Sequence, residues 1–349
     1  MDFNINGISF NKTDLVTVPI KNFSVGTISN GHVFLILGNK PFLLLRAGDY
    51  IDGEFLQKYL DRGLESFWFL EIADKDTITK YHSLFSELRN SKSSKLQAIS
   101  SEKIYISFVK DFILENKVSF LSFIVAAFNT FYRFDHGTAL KFHQTSTTLF
   151  DRALVTSAHS ILVTMSNGFK DYNFIRDIYN LAFIMDIGLL EGEFSYNIQK
   201  ACEQERNYPG TGTAYLQSVS KQPEELDLFM HHPSFSMHYA ESMPDRFEYP
   251  ELCQVLAIHH EKFDGSGFPN GYFRSSISSW ECILNFVDLV THYKTRNYNK
   301  GDGKSILNET SEYLKSLETK EKQPLNDVID NYFAVIKWAS LKLTKKEAA

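Results

Sequence analysis

The run His259-His260-Glu261-Lys262-Phe263-Asp264-Gly265-Ser266-Gly267-Phe268-Pro269-Asn270-Gly271 constrains this chain more than any other stretch, because two adjacent imidazoles stand directly before a tight, glycine-rich loop. Neutral imidazole is the commonest protein ligand for zinc, iron and manganese, and adjacent histidines serve one cluster best where a helix ends and the backbone turns. Gly265, Gly267 and Pro269 supply the turn conformations that such a loop needs. The pair reads as half of a metal site. An exposed helix end is the other reading, and further ligands decide between the two.

Further ligands stand at suggestive places. Upstream are His159, Asp186 and the pair His231-His232 before Pro233; downstream, Asp288 sits inside the apolar run from Cys282 to Val290. A carboxylate amid such a run needs a partner, since burying an unpaired charge is costly. Asp186 poses the same question between Leu181 and Gly188. Both carboxylates could instead face solvent from one polar edge of an amphipathic helix.

Taken in order, the chain has His159, an apolar helix ending in Asp186-Ile187-Gly188, then His232-Pro233, then the His-His-Glu loop. An apolar helix carrying Asp288 follows, and then Arg296-Asn297-Tyr298. Over roughly residues 150 to 300 this order resembles the HD-GYP family of phosphodiesterases, a branch of the HD superfamily. The resemblance implies a helical domain holding two metal ions, iron first with manganese or zinc as alternatives, that hydrolyses cyclic di-GMP. By resemblance Asp186 bridges both ions and a hydroxide between them is the nucleophile. His232, His259 and His260 would complete one ion, and His159 with Asp288 would serve the other. Asp264, Gly265, Gly267, Phe268 and Arg296 would meet the nucleotide. The donor set itself, His and Asp without Cys, suits iron, manganese or zinc.

Three departures bear on function. Met185 stands where the family has the histidine of its HD pair, Leu189 replaces a lysine, and Phe268 replaces the tyrosine of the GYP triplet. Thioether sulfur is a poor ligand for a hard, hydroxide-bridged centre. The missing lysine removes a group that would contact the scissile phosphate or assist the leaving group, a role worth about 10² to 10⁴ in rate. Phe268 keeps a ring that packs the loop and loses a hydroxyl. The reading is a metal-dependent cyclic di-GMP phosphodiesterase of weak activity, with a catalytically impaired cyclic dinucleotide sensor or partner-binding module as the alternative.

The rest of the 349 residues is consistent with a two-part α+β protein. Residues 1–85 carry short β-prone runs, Leu15 to Ile20, Val33 to Leu37, Phe42 to Arg46 and Ser66 to Ile72, around a helix that Asp52 caps and Gly63 stops. They predict a small α/β regulatory or interaction domain, a site for a protein partner. Residues 86–150 read as a helical linker and 151–345 as the HD-GYP-like metal-binding domain. Val118 to Phe128 is too short to span a membrane and reads as a buried helix. A net charge of −6 offers no broad attraction to nucleic acid or anionic lipid, so neither DNA nor a membrane is an expected partner. Cys202, Cys253 and Cys282 lack metal-type spacing and suit a reducing cytoplasm. His136 and His143 are expected to be bystanders, and His292, one turn after Asp288, is a reserve ligand. The turn-rich stretch between Asp186 and His232 is either a lid over the site or a neutral insertion.

Overall fold

Apolar residues that alternate between two faces build the N-terminal sheet. The computed structural model describes residues 2–347 except 6, 39, 208, 209, 221, 263, 264, 272–277, 292–301 and 317–324. A hairpin, β1 (Asp2–Ile5) and β2 (Ile8–Asn11), precedes an antiparallel sheet of β3 (Val16–Pro19), β4 (Gly31–Leu37), β5 (Lys40–Leu45) and β6 (Ser66–Glu71), in the order β3-β6-β4-β5. Phe67 and Phe69 join Val33 and Leu45 on one face, which α1 (Gly53–Leu60) covers through Leu56. Phe34 and Trp68 lie on the other face with Phe10 of the hairpin. Period-two side-chain alternation places successive residues of β6 on opposite faces, and here both faces are covered. Asp52 caps α1 by accepting from the Glu54 N–H at 3.2 Å, and Gly63 turns the chain back at φ +75°.

The chain from α2 onward is helical, and the fold is α+β. The helices α2 (Lys75–Asn90), α3 (Ser94–Phe108), α4 (Leu121–Phe131) and α5 (His136–Thr145) are followed by α6 (Thr147–Ser166) and α7 (Tyr172–Ile184). Then come α8 (Tyr196–Asn207), α9 (Thr211–Val219), α10 (Pro223–Glu241), α11 (Ser279–Val290), α12 (Asp302–Ser316) and α13 (Asn326–Glu347). Tyr81 and Phe85 of α2 pack with Phe123 and Phe131 of α4 in the same continuous core that holds the later helices. The helices between 86 and 150 are thus part of that packed body. α6 is buried on all sides from Leu149 to Met165, which makes it the axis around which α5, α7, α11 and α13 assemble.

Polar contacts join the sheet to this body. Arg46, just after β5, pairs with Asp49 at 3.0 Å and with Asp151 of α6 at 3.3 Å. His143 lies 3.4 Å from Asp49, and His136 shares a 2.7 Å hydrogen bond with the Tyr50 hydroxyl. Both histidines that the sequence leaves as bystanders therefore sit at the junction. The stretch between Asp186 and His232 forms α8 and α9, packed on each other and on α10. Among the described residues no helix is long and apolar enough to cross a membrane.

Candidate metal centre

Backbone geometry at the end of α7 begins the site. Asp186 leaves the helix at φ −99°, ψ 10° and starts the short turn Ile187–Glu191. Gly188 follows because α10 lies against it: a Cβ there would stand 2.2 Å from the His232 carbonyl oxygen. The Gly188 N–H donates to Ser236 Oγ at 2.9 Å, which fixes α10 to this turn.

α10 then sets the orientation of its own histidine. Pro233 lies inside the helix and has no N–H, so the Phe229 carbonyl has no helical donor four residues on. His232 Nδ1 donates to that carbonyl at 2.7 Å. His259, at the end of the turn segment Pro250–Ile258, likewise donates from Nδ1 to the Leu256 carbonyl at 2.6 Å. A carbonyl oxygen only accepts, so in each ring the proton is on Nδ1 and the lone pair is on Nε2. Both Nε2 atoms are buried and have no hydrogen-bond partner among the described residues.

The loop supplies the third ring. Phe268, 4% exposed, stacks on His260 with centroids 4.6 Å apart and planes at 22°. The Phe268 N–H donates to the His260 carbonyl at 3.2 Å, and the Asn270 N–H to Glu261 Oε1 at 2.7 Å. Gly267 is required by close backbone approach, since a Cβ would meet the Lys262 nitrogen at 2.3 Å. Lys262 reaches Glu205 of α8 at 3.2 Å, which ties the loop to the inserted helices.

These elements bring Asp186, His232, His259 and His260 together, with one ligand atom of each within 4.8 Å of all the others. Burial, reinforced by the neighbouring His259, pushes both His232 and His260 well below the usual imidazole range. They are neutral at pH 7, which is the form that binds metal. Unpartnered, inward Nε2 lone pairs beside a carboxylate fit a divalent ion, and the Nδ1 contacts provide the outer hydrogen bonds that orient metal-binding imidazoles. HD domains bind divalent metals, and this His/Asp cluster is such a donor set.

The other two expected ligands are placed differently. Asp288, 6% exposed on α11, and Asp186 both accept hydrogen bonds from the guanidinium of Arg152. Arg152 Nη1 donates to Asp186 Oδ2, while Nη2 donates to Asp288 Oδ1 and, at 3.2 Å, to the Asp288 main-chain carbonyl. His159 does not join the cluster. It lies two helical turns beyond Arg152 on α6, about 10 Å along the axis, and its Nε2 meets the Tyr332 hydroxyl of α13 at 2.7 Å. Sequence reasoning passed over Arg152; its one local signal is that Asp151-Arg152 is the one charged pair in a helix otherwise without Asp, Glu, Lys or Arg.

The remaining expected residues divide further. Met185 and Leu189 are in the core at 1% and 0% exposure. Phe268 packs against His260, Phe229 and His232. Gly265, at φ +74°, and Gly267 shape the loop. His231 points outward to Asp227 at 3.0 Å. Asp264, His292 and Arg296 lie outside the described residues.

Residues 217–324 match the family described as HD domain, a stretch that contains His232, His259, His260 and Asp288. No curated protein matches the sequence. Among solved structures, the chain is similar to Bd1817, described as a HDG"Y"P protein, from Bdellovibrio bacteriovorus, at 16% identity over 90% of this chain and 99% of that one. The TM-score is 0.34. The His-His-Glu loop falls within the stretch that matches the HD domain family, so sequence match and site geometry coincide there.

Proposed function

We propose that this HD-type metal-dependent hydrolase is a phosphodiesterase acting slowly on cyclic di-GMP or a closely related cyclic dinucleotide. The observation that carries the reading is the pair of buried, unpartnered Nε2 atoms of His232 and His259 beside Asp186 and His260. Those four residues would hold the metal, iron by the notion of a mixed His and carboxylate set, with manganese or zinc also suited. When bound, a divalent ion supplies Lewis-acid charge to a phosphoryl oxygen and lowers the pKa of water.

The chain's own residues supply the rest. The Phe229 and Leu256 carbonyls hold His232 and His259 in one tautomer, and Arg152 holds Asp186 in place. Stacking by Phe268 limits rotation of His260. Gly265, at φ +74°, turns the loop and Gly267 lets it pack on the Lys262 main chain, and Arg296, by the family resemblance, is the phosphate or guanine partner of the nucleotide. Leu189, buried in the core, donates no proton, which accounts for slow turnover of about 10² to 10⁴ below a site with a general acid.

The test is conversion of cyclic di-GMP to the linear dinucleotide by iron- or manganese-loaded protein. Slow turnover that His259→Ala with His260→Ala abolishes is expected; turnover no higher than in metal-free protein, across several cyclic dinucleotides, would sink the reading. The core positions of both Met185 and Leu189 favour one second reading, a cyclic dinucleotide sensor that binds without hydrolysis. Stoichiometric nucleotide binding without product would select it.

A further inference from the structure

We infer that Arg152 takes the place of a second metal ion, its guanidinium being a permanent cation between Asp186 and Asp288, so that the site holds one exchangeable divalent ion. The inference rests on the metal-site reading above and adds to it the number of ions and the residue that sets that number.

Asp186 faces two ways. Its Oδ1 lies 3.7 Å from His232 Nε2 on the side of the imidazoles, and its Oδ2 is held by Arg152 Nη1. The carboxylate thus bridges the imidazole cluster and the guanidinium, the arrangement expected of a ligand shared by two cations. The other nitrogen of the guanidinium takes Asp288, by its carboxylate and its main-chain carbonyl together. Three oxygens on that side, Asp186 Oδ2, Asp288 Oδ1 and the Asp288 main-chain carbonyl, are therefore engaged by one residue, itself 2% exposed.

Arginine suits this position chemically. Its guanidinium stays protonated at any pH a protein tolerates, and it donates only, so it cannot become a ligand. A divalent ion between Asp186 and Asp288 would lie against a fixed positive charge, and like charges at contact repel strongly in a buried site. Neither His159 nor Met185 supplies a hard donor atom on this side. His159 is turned to Tyr332, and Met185 offers a soft sulfur where hard ligands are needed. Formal charge agrees: two carboxylates and one guanidinium leave a single negative charge beside three imidazoles, which one divalent ion more than offsets.

The test uses the full chain, loaded with Mn²⁺ and freed of excess, and reads metal per chain by elemental analysis alongside the electron paramagnetic resonance spectrum. Wild type is expected to hold one ion with an uncoupled spectrum. Arg152→His and Arg152→Ala, checked for folding by circular dichroism, are expected to approach two ions and show spin coupling, whereas Arg152→Lys stays at one. Two ions or coupled spins in wild type would overturn the inference and leave the metal site standing. A folded Arg152→Ala that remains at one ion would also overturn it. Wild type with no ion would overturn the metal site itself, a result distinct from either. Should the Arg152 variants not fold, the wild-type count and spectrum still decide.

Discussion

His232 and Phe229 are joined by a 2.7 Å hydrogen bond from imidazole Nδ1 to a carbonyl that the helix leaves unclaimed, because the residue four positions on is Pro233. The proline thereby sets which ring nitrogen carries the lone pair. Pro233→Ala returns a competing N–H to that carbonyl. Metal affinity, measured by competition with a chelator, is expected to fall about 10- to 100-fold, the usual effect of losing an outer hydrogen bond to a ligand. Thermal stability of the metal-free protein should rise, by no more than the ~3 kcal/mol an interior proline costs a helix. Unchanged affinity would show that the tautomer is held by other means.

Gly188→Ala tests the close approach of α10 to the turn after α7. Its new Cβ would stand 2.2 Å from the His232 carbonyl oxygen, a backbone atom that moves only with the helix. Overpacking of this kind costs about 1–3 kcal/mol, and here the upper end is expected. The thermal midpoint and the metal content should fall together. A stable variant with full metal content would mean that α10 shifts without disturbing His232.

Arg46→Ala removes the cation that joins the sheet to α6. Asp151, only 1% exposed, would lose a 3.3 Å partner. Breaking a buried pair costs about 3–5 kcal/mol, and the lower figure is expected because the Arg46 side chain is 20% exposed. Urea unfolding followed by circular dichroism measures the loss. A cost under about 1 kcal/mol would place this pair with ordinary surface salt bridges.

The acid stability of the N-terminal unit should depend on His32. Its Nδ1 accepts from the Ala47 N–H at 3.0 Å, which requires the unprotonated atom, and burial lowers its pKa to about 4. The unfolded chain takes up the proton near pH 6.5, whereas the folded one resists until about 4. Stability is therefore complete above 6.5, falls as pH drops through that window, and levels off below it. The loss is on the order of 3 kcal/mol, at about 1.4 kcal/mol per unit. His32→Asn, which keeps an acceptor, should flatten the thermal midpoint between pH 6.5 and 4; an unchanged slope would assign it to other groups.

Local patterns made much of the fold legible. The apolar runs at Val33 to Leu37 and Ser66 to Ile72 coincide with β4 and β6, and Asp52 and Gly63 bound α1 as their side chains and backbone preferences require. The β1–β2 hairpin escaped notice because four-residue strands with polar residues interspersed carry little periodic signal. In the candidate centre, the His-His pair and its glycines were readable because one loop contains them all. Asp186 and His232 are legible as candidate donors, and only the family resemblance joins them to the loop, since nothing local says that these positions meet.

The sequence by itself determined the ligand types, neutral imidazoles with a carboxylate, and the turn chemistry that presents two of them. Tertiary structure alone decided which cation each carboxylate serves. Arg152 reaches Asp186 across 34 positions and Asp288 across 136, while His159, on the same helix, is turned to Tyr332. The physical reason is that a buried charge takes the partner nearest in space, and that distance is set by how α6, α11 and the end of α7 pack, not by any spacing along the chain.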